Sequence, residues 1–162
     1  ENPFCSPEEN QVWIDSYKRS GLGDKIRLIP RQQSQKEVYN IMKQTDCGVF
    51  PSRGEGWNLE LLEMMAAGKH VIATDYSAHT EFCTKENCGL VSINNKEPAH
   101  DGKWFFGQGN WAKISEREIS DLAIEMQSFI VERKGTTNES GVKTARQFSW
   151  QNSAKEIIKH VK

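Results

Sequence analysis

Apolar and polar positions along this chain switch repeatedly between helical and strand periods. Ser6-Pro7-Glu8-Glu9 places a capping serine, an early proline and a glutamate three residues past the cap, which predicts a helix over about 7–20. Gly21 and Gly23 stop it. Residues 25–29 (KIRLI) alternate and predict a strand ended by Pro30. Ser34-Gln35-Lys36-Glu37 repeats the capping pattern and opens a helix to about Gln44. The short apolar runs 47–50 (CGVF), 70–74 (HVIAT) and 89–93 (GLVSI) read as buried strands. Between the first two lies a helix over 58–67, closed by Gly68. Strands that are apolar on both sides and alternate with helices predict an α/β fold, a Rossmann-like parallel sheet with helices on both faces.

Past Ile93 the pattern changes. Residues 94–113 (NNKEPAHDGKWFFGQGNWAK) mix glycine, proline and aromatics, and predict a long ordered loop. Ser115-Glu116-Arg117-Glu118 is a third capping box, starting a helix to about Arg133. A polar stretch over 134–140 precedes helices over about 141–147 and from Trp150 to the end, with Phe148 and Trp150 as anchors.

Composition narrows the classes. With 162 residues, 36% hydrophobic and 27% charged, the chain has the size and balance of one soluble domain with a real core. A net charge of −1 argues against a general nucleic-acid binder. No apolar run reaches the length of a membrane span, and ENPFCSPEEN has neither a basic start nor an apolar stretch of the kind a leader needs. Cys5, Cys47, Cys83 and Cys88 form no CxxC pair and read as reduced thiols of a cytoplasmic protein. Cys83, Cys88 and His79 lack a recognised zinc spacing, so no metal site is expected. Asp46 and Asp75 at strand ends have no acidic cluster around them to suggest a phosphoacceptor.

The informative segment is SRGEGWNLELLEMMAAGKHVIATD, residues 52–75. Its helix is apolar except for Glu60 and Glu63, which predicts burial nearly all round and a desolvation cost for Glu63 unless something hydrogen-bonds it. Pairing with a lysine or arginine would satisfy it. Gly54 and Gly56 flank Glu55 and would let the backbone turn tightly against a ligand. The loop follows a parallel strand, at the carboxyl edge where such sheets bind ligands. Amides at the start of the helix suit a phosphate. Two carboxylates suit hydroxyls on either side of it, which is the outline of a nucleotide-sugar.

The run 51–75 resembles the donor-site segment of retaining glycosyltransferases of the GT-B fold, family GT4, including their E-x7-E pattern at Glu55 and Glu63. DKIRLIP, VYNIMKQTDCGVFPS, HTEFCTKENCGLVSI (with Glu81 at the family's glutamate) and FSWQNSAKEIIKHV resemble neighbouring family segments in the same order. The resemblance implies that Glu55, the catalytic candidate, holds hydroxyls of the donor sugar. It implies that the backbone around Gly54, Gly56, Trp57 and Asn58 meets the sugar, and that the amides of Asn58 or Leu59 meet the diphosphate. Glu63 would hold the ribose, and Arg31 and Gln32 would touch the base. The partner is then a nucleoside-diphosphate sugar, with no further cofactor and no metal. His70 and Glu60 depart from the usual proline and small residue.

The family's diphosphate-holding Arg and Lys lie upstream of anything matched here. The expectation is therefore a single donor-binding domain over 1–162, a fragment of a two-domain enzyme lacking its first strand and its N-terminal acceptor domain. Such a fragment is expected to be inactive alone, cytoplasmic, and peripheral to a membrane only through the missing part. Arg53 is a candidate substitute phosphate cation, with a solvent-facing role as the plain alternative. Trp57 is expected to pack beneath the loop. Residues 104–106 (WFF) and Trp111 offer a sugar-stacking lid or an acceptor contact, against plain packing of a long loop onto the helices. His79, His100 and His160 are read as structural or surface residues. The competing class is a GT-B-like module that only binds a nucleotide or saccharide. Epimerase or phosphorylase readings lack their loop motifs and cofactor lysine.

Overall fold

The computed structural model describes residues 5–161; the reading of the N-terminal stretch and the end of the last helix at Lys162 reach outside them. The chain forms two compact units, 1–38 and 39–162.

In the first unit, α1 (Pro7–Arg19) begins as the sequence predicts. Ser6 Oγ accepts from the Glu9 amide at 3.2 Å, and the Glu9 carboxylate accepts from the Ser6 amide at 2.7 Å. The predicted strand over 25–29 does not form. A 3-10 turn covers Gly23–Lys25, and residues 26–30 have no regular structure. An extended run becomes a strand only when a neighbour takes its amides and carbonyls, and none pairs with it among the described residues. Leu28 and Ile29, each nearly half exposed, instead line an apolar groove with Trp13, Ile14 and Tyr17 of α1.

Helix α2 covers Gln35–Gln44, with Ser34 and Glu37 making the expected cap. In the second unit, β1 (Cys47–Phe50), α3 (Leu59–Ala66), β2 (His70–Asp75) and β3 (Gly89–Ser92) fall where the apolar runs put them. The three strands are parallel in the order β1-β2-β3, with Val49 opposite Ile72 and Ala73 opposite Leu90. β2 is central and buried on both faces. Val71 and Ala73 join Leu61, Leu62, Met64 and Met65 of α3 on one side; Ile72 joins Val91 and Phe129 on the other. Phe129 belongs to α4 (Glu116–Glu132), and α5 (Glu139–Gln147) packs on α3. The result is a mixed α/β unit with a parallel sheet between helices, a Rossmann-like half of a GT-B fold. Helix α6 (Trp150–His160) closes the described chain.

Two further expectations need correction. Residues 94–113 are not a loop but an antiparallel hairpin, β4 (Lys96–His100) and β5 (Phe106–Ala112), with Glu97 opposite Trp111 and an irregularity between Pro98 and His100. Its tip is held by Asp101, whose Oδ1 accepts from the amides of Lys103, Trp104 and Phe105 at 2.8, 2.8 and 2.9 Å. These amides, Phe105's first, lower the Asp101 pKa to about 2. Helix α3 is also not buried all round. Leu61, Leu62, Met64 and Met65 are buried, while Leu59, Glu60, Glu63 and Ala66 are exposed. The exposed residues recur at helical spacing and make one stripe. Glu63 therefore carries no burial cost.

Candidate functional site

The loop from Pro51 to Asn58 leaves the carboxyl end of β1 and is fixed by side chains. Ser52 Oγ donates to Glu55 Oε1 at 2.6 Å. The Glu55 amide donates to Ser77 Oγ at 2.8 Å. Thr74 Oγ1 donates to the Ser52 carbonyl at 2.6 Å, and His79 Nε2 lies 2.6 Å from the Thr74 carbonyl. A carbonyl only accepts, so Nε2 carries the His79 proton. His79 is completely buried, which makes it the structural residue expected. Glu55 is half-buried, with one carboxylate oxygen taken by Ser52.

Tight turning was expected of Gly54 and Gly56. Neither adopts a positive φ; Asn58 (φ 68°) and Ser77 (φ 71°, ψ −158°) do. Asn58 tolerates the left-handed region and caps α3, its Oδ1 accepting from the Leu61 amide at 3.2 Å. Ser77 sits where almost only glycine is comfortable. Gly54 serves a close approach instead: a Cβ there would meet Trp111 Cδ1 at 3.1 Å.

These residues open on a cleft of roughly 700 Å³ lined by Gly54, Glu55 and Gly56 on one side and Phe105, Asn110 and Trp111 on the other, with Arg53, Tyr76 and Ser77 completing it. The hairpin is tied across it. The Ala112 amide donates to the Arg53 carbonyl at 2.7 Å, Tyr76 OH donates to the Asn110 carbonyl at 2.8 Å, and the Lys96 ammonium lies 5.3 Å from the Tyr76 ring centre. Arg53 is exposed, as its solvent-facing reading expects, but its guanidinium is already engaged within the chain. Its guanidinium pairs with Glu97, donates to the Ala112 carbonyl at 3.3 Å and lies 4.7 Å above the Trp111 ring.

Behind the loop, Trp57 packs as expected, its ring centre 5.2 Å from Phe82 and 5.5 Å from Phe148. Among the described residues, nothing in the chain accepts from the amides of Gly56, Trp57, Asn58 and Leu59. The start of α3 thus offers unpaired donors and the positive end of its dipole. Glu63 lies one turn along the exposed stripe, and its carboxylate has no hydrogen bond or ion pair among the described residues. The lysine or arginine partner weighed for it is not there.

Residues 6–100 match the profile of the family described as "Glycosyl transferases group 1". That match covers more than half of the 162 residues. The chain belongs to this family. A curated relative is the "Lipopolysaccharide core biosynthesis mannosyltransferase LpsB" of Rhizobium meliloti (strain 1021), 36% identical over 75 residues. The aligned region is 45% of this chain, and the chain spans only 20% of that protein's length.

In this member of the family, Gly54, Glu55 and Gly56 line one cleft, Trp57 and the cap Asn58 lead from it into α3, and Leu59 and Glu63 lie on that helix. Arg31 and Gln32 lie in the first unit: Arg31 is exposed, and Gln32 Nε2 donates to the Pro30 carbonyl at 2.6 Å. Sequence reasoning missed Ser77 and Tyr76, although both follow directly after β2, at the ligand edge of a parallel sheet. Among the described residues, no group of three or more His, Cys, Asp or Glu side chains is placed to hold a metal ion. Burial raises the Cys47 pKa to about 11, and the neighbouring Cys83 together with burial holds the Cys88 thiol protonated. No helix among the described residues is long and apolar enough to cross a membrane.

Proposed function

We propose that the second unit binds the nucleoside-diphosphate sugar of a retaining, GT4-like, metal-independent glycosyltransferase, and that Glu55 holds the sugar being transferred. The observation that supports this best is the pairing of a positioned carboxylate with unpaired amides. Ser52 and Ser77 fix Glu55 from two directions, and the open amides of Gly56 to Leu59 begin where that loop ends. A diphosphate set against those amides is stabilised as it departs, without a metal. Its sugar then lies at Glu55. Glu63, unpaired on the exposed stripe, accepts from the ribose hydroxyls. The acceptor belongs to a further domain of the parent enzyme, which works in the cytoplasm, at a membrane surface only through that domain. The mannosyltransferase relative makes a mannose donor one of the first to try.

The test is a thermal melt with UDP, GDP, ADP and CDP, on the wild type and on Glu63→Ala. A nucleotide present at 100 times its Kd stabilises the folded state by about 2.7 kcal/mol. One nucleotide is expected to raise the melting temperature of the wild type and to lose most of that effect in the variant. A shift that is equal in both removes Glu63 from the ribose role. No shift with any nucleotide removes nucleotide binding from this chain and favours the saccharide-binding or interaction module.

A further inference from the structure

The family match stops at residue 100, so nothing in it accounts for the second half of the hairpin. That half carries an exposed aromatic group: Trp104 is 64%, Phe105 41% and Phe106 64% exposed. Exposed aromatics held in a fixed place mark contact surfaces more often than accidents. Here the place is fixed at both ends. At the tip, the Phe105 amide is one of three that Asp101 accepts. At the base, Arg53 and the Ala112 amide fasten the strand to the glycine loop. Of the three rings only Phe105 lines the cleft, set edge-on to Trp111 at 5.4 Å between ring centres. One face of Trp111 carries the Arg53 guanidinium.

We propose that Phe105 is the stacking face for the sugar ring of the donor, and that Trp111 is a positioning residue that holds Phe105 in the cleft. This rests on the donor-binding reading above. A pyranose has polar edges and an apolar face of C–H groups. A site that binds it tightly needs acceptors around the rim and an apolar plane against the face. The cleft provides both across its width: the Glu55 carboxylate on the loop side, and the Phe105 ring on the hairpin side. The ligand class is therefore a hexose carried on a diphosphate, and the hairpin selects the sugar while α3 takes the nucleotide.

Calorimetric titration of the whole chain tests this, using GDP-mannose and UDP-glucose beside GDP and UDP. The variants are Phe105→Ala, the milder Phe105→Leu, and Trp104→Ala, which alters an exposed ring outside the cleft lining. Melting curves without ligand check that each variant folds. Phe105→Ala is expected to weaken the sugar nucleotide that binds by roughly three- to tenfold, the worth of one aromatic contact. The matching bare diphosphate should bind as before, Phe105→Leu should fall between, and Trp104→Ala should change neither. If sugar nucleotide and bare diphosphate weaken together, or neither changes, Phe105 is not a sugar contact. Phe105-dependent binding of methyl mannoside or methyl glucoside without any nucleotide would overturn the donor assignment in favour of an acceptor sugar. If the wild type binds none of these four and neither ADP nor CDP shifts its melting curve, the donor reading itself fails, and the stacking role fails with it.

Discussion

Ser77 separates strain from grip at the candidate site. Its backbone, at φ 71° and ψ −158°, lies in a region that costs a residue with a Cβ about 1–3 kcal/mol. Its Oγ accepts from the Glu55 amide at 2.8 Å, a bond worth about 1 kcal/mol net. Ser77→Ala loses the bond and keeps the strain, so it should destabilise the fold by about 1 kcal/mol. Ser77→Gly also loses the bond, but it relieves about 2 kcal/mol of strain and gives back about 0.4–1 kcal/mol to a more flexible unfolded chain. The glycine variant should therefore match the wild type closely and exceed the alanine variant by about 1 kcal/mol. With a urea slope of about 2 kcal/mol/M, that separates their midpoints by roughly 0.5 M. Both variants free the Glu55 amide, so both should bind a sugar nucleotide more weakly, and by similar factors. Equal midpoints for the two variants, or full binding by the glycine variant, would refute the idea that the serine is kept in a strained place for its hydroxyl.

Two further outcomes concern what holds the second unit together. Asn138 is 3% exposed; its Nδ2 donates to the carbonyls of Lys69 and Asn87 at 3.2 and 2.8 Å, and its Oδ1 accepts from the Gly141 amide at 2.8 Å. Asn138→Ala removes a helix cap and strands two carbonyls, for a loss of about 2–4 kcal/mol in urea unfolding; a loss below about 1 kcal/mol would contradict this accounting. Glu118 is buried against α4's own cap, and the Ser115 hydroxyl, then the Ser115 amide and the Asn94 side chain, lower its pKa from 4.5 to about 2. A carboxylate with a depressed folded pKa stabilises above its unfolded pKa and loses that contribution as pH falls through the folded one. The stability gap between wild type and Glu118→Gln should be full above about pH 5 and shrink between 4.5 and about 2. A gap that does not change with pH would show that Glu118 acts only by packing.

The sequence was most legible where the signal was local. The serines at 6, 34 and 115 each announce a helix through a glutamate three residues on, because cap and partner share one turn. The short strands were legible because a buried parallel strand must be apolar on both faces. Glu63 was misplaced because α3 was judged by how apolar it is, not by phase: Leu61, Leu62, Met64 and Met65 fill one side, leaving the Glu63 side open. The KIRLI alternation was real, but an extended run needs a neighbour that sequence cannot supply. The hairpin had its marker in Asp101-Gly102, a common hairpin dipeptide. The strand after it, FGQGNWA, has too few β-branched residues to be recognised alone. The candidate site was legible along the chain and illegible across it. Glu55 with Ser52 is a contact three residues apart, whereas Ser77, Phe105 and Trp111 arrive from elsewhere in the chain.

The clasp between Arg53 and the hairpin sets the unit of exchange for anyone altering this protein. A guanidinium that is at once paired with Glu97, bonded to the Ala112 carbonyl and laid over Trp111 cannot be inherited by half. A chimera that takes the glycine loop from a cousin but keeps this hairpin would leave Glu97 without its cation and Trp111 without its cover. Trimming the hairpin would strand Arg53 in the same way. The two segments, more than forty positions apart in the sequence, are one transplantable module. Any exchange of either segment with a relative has to move them together.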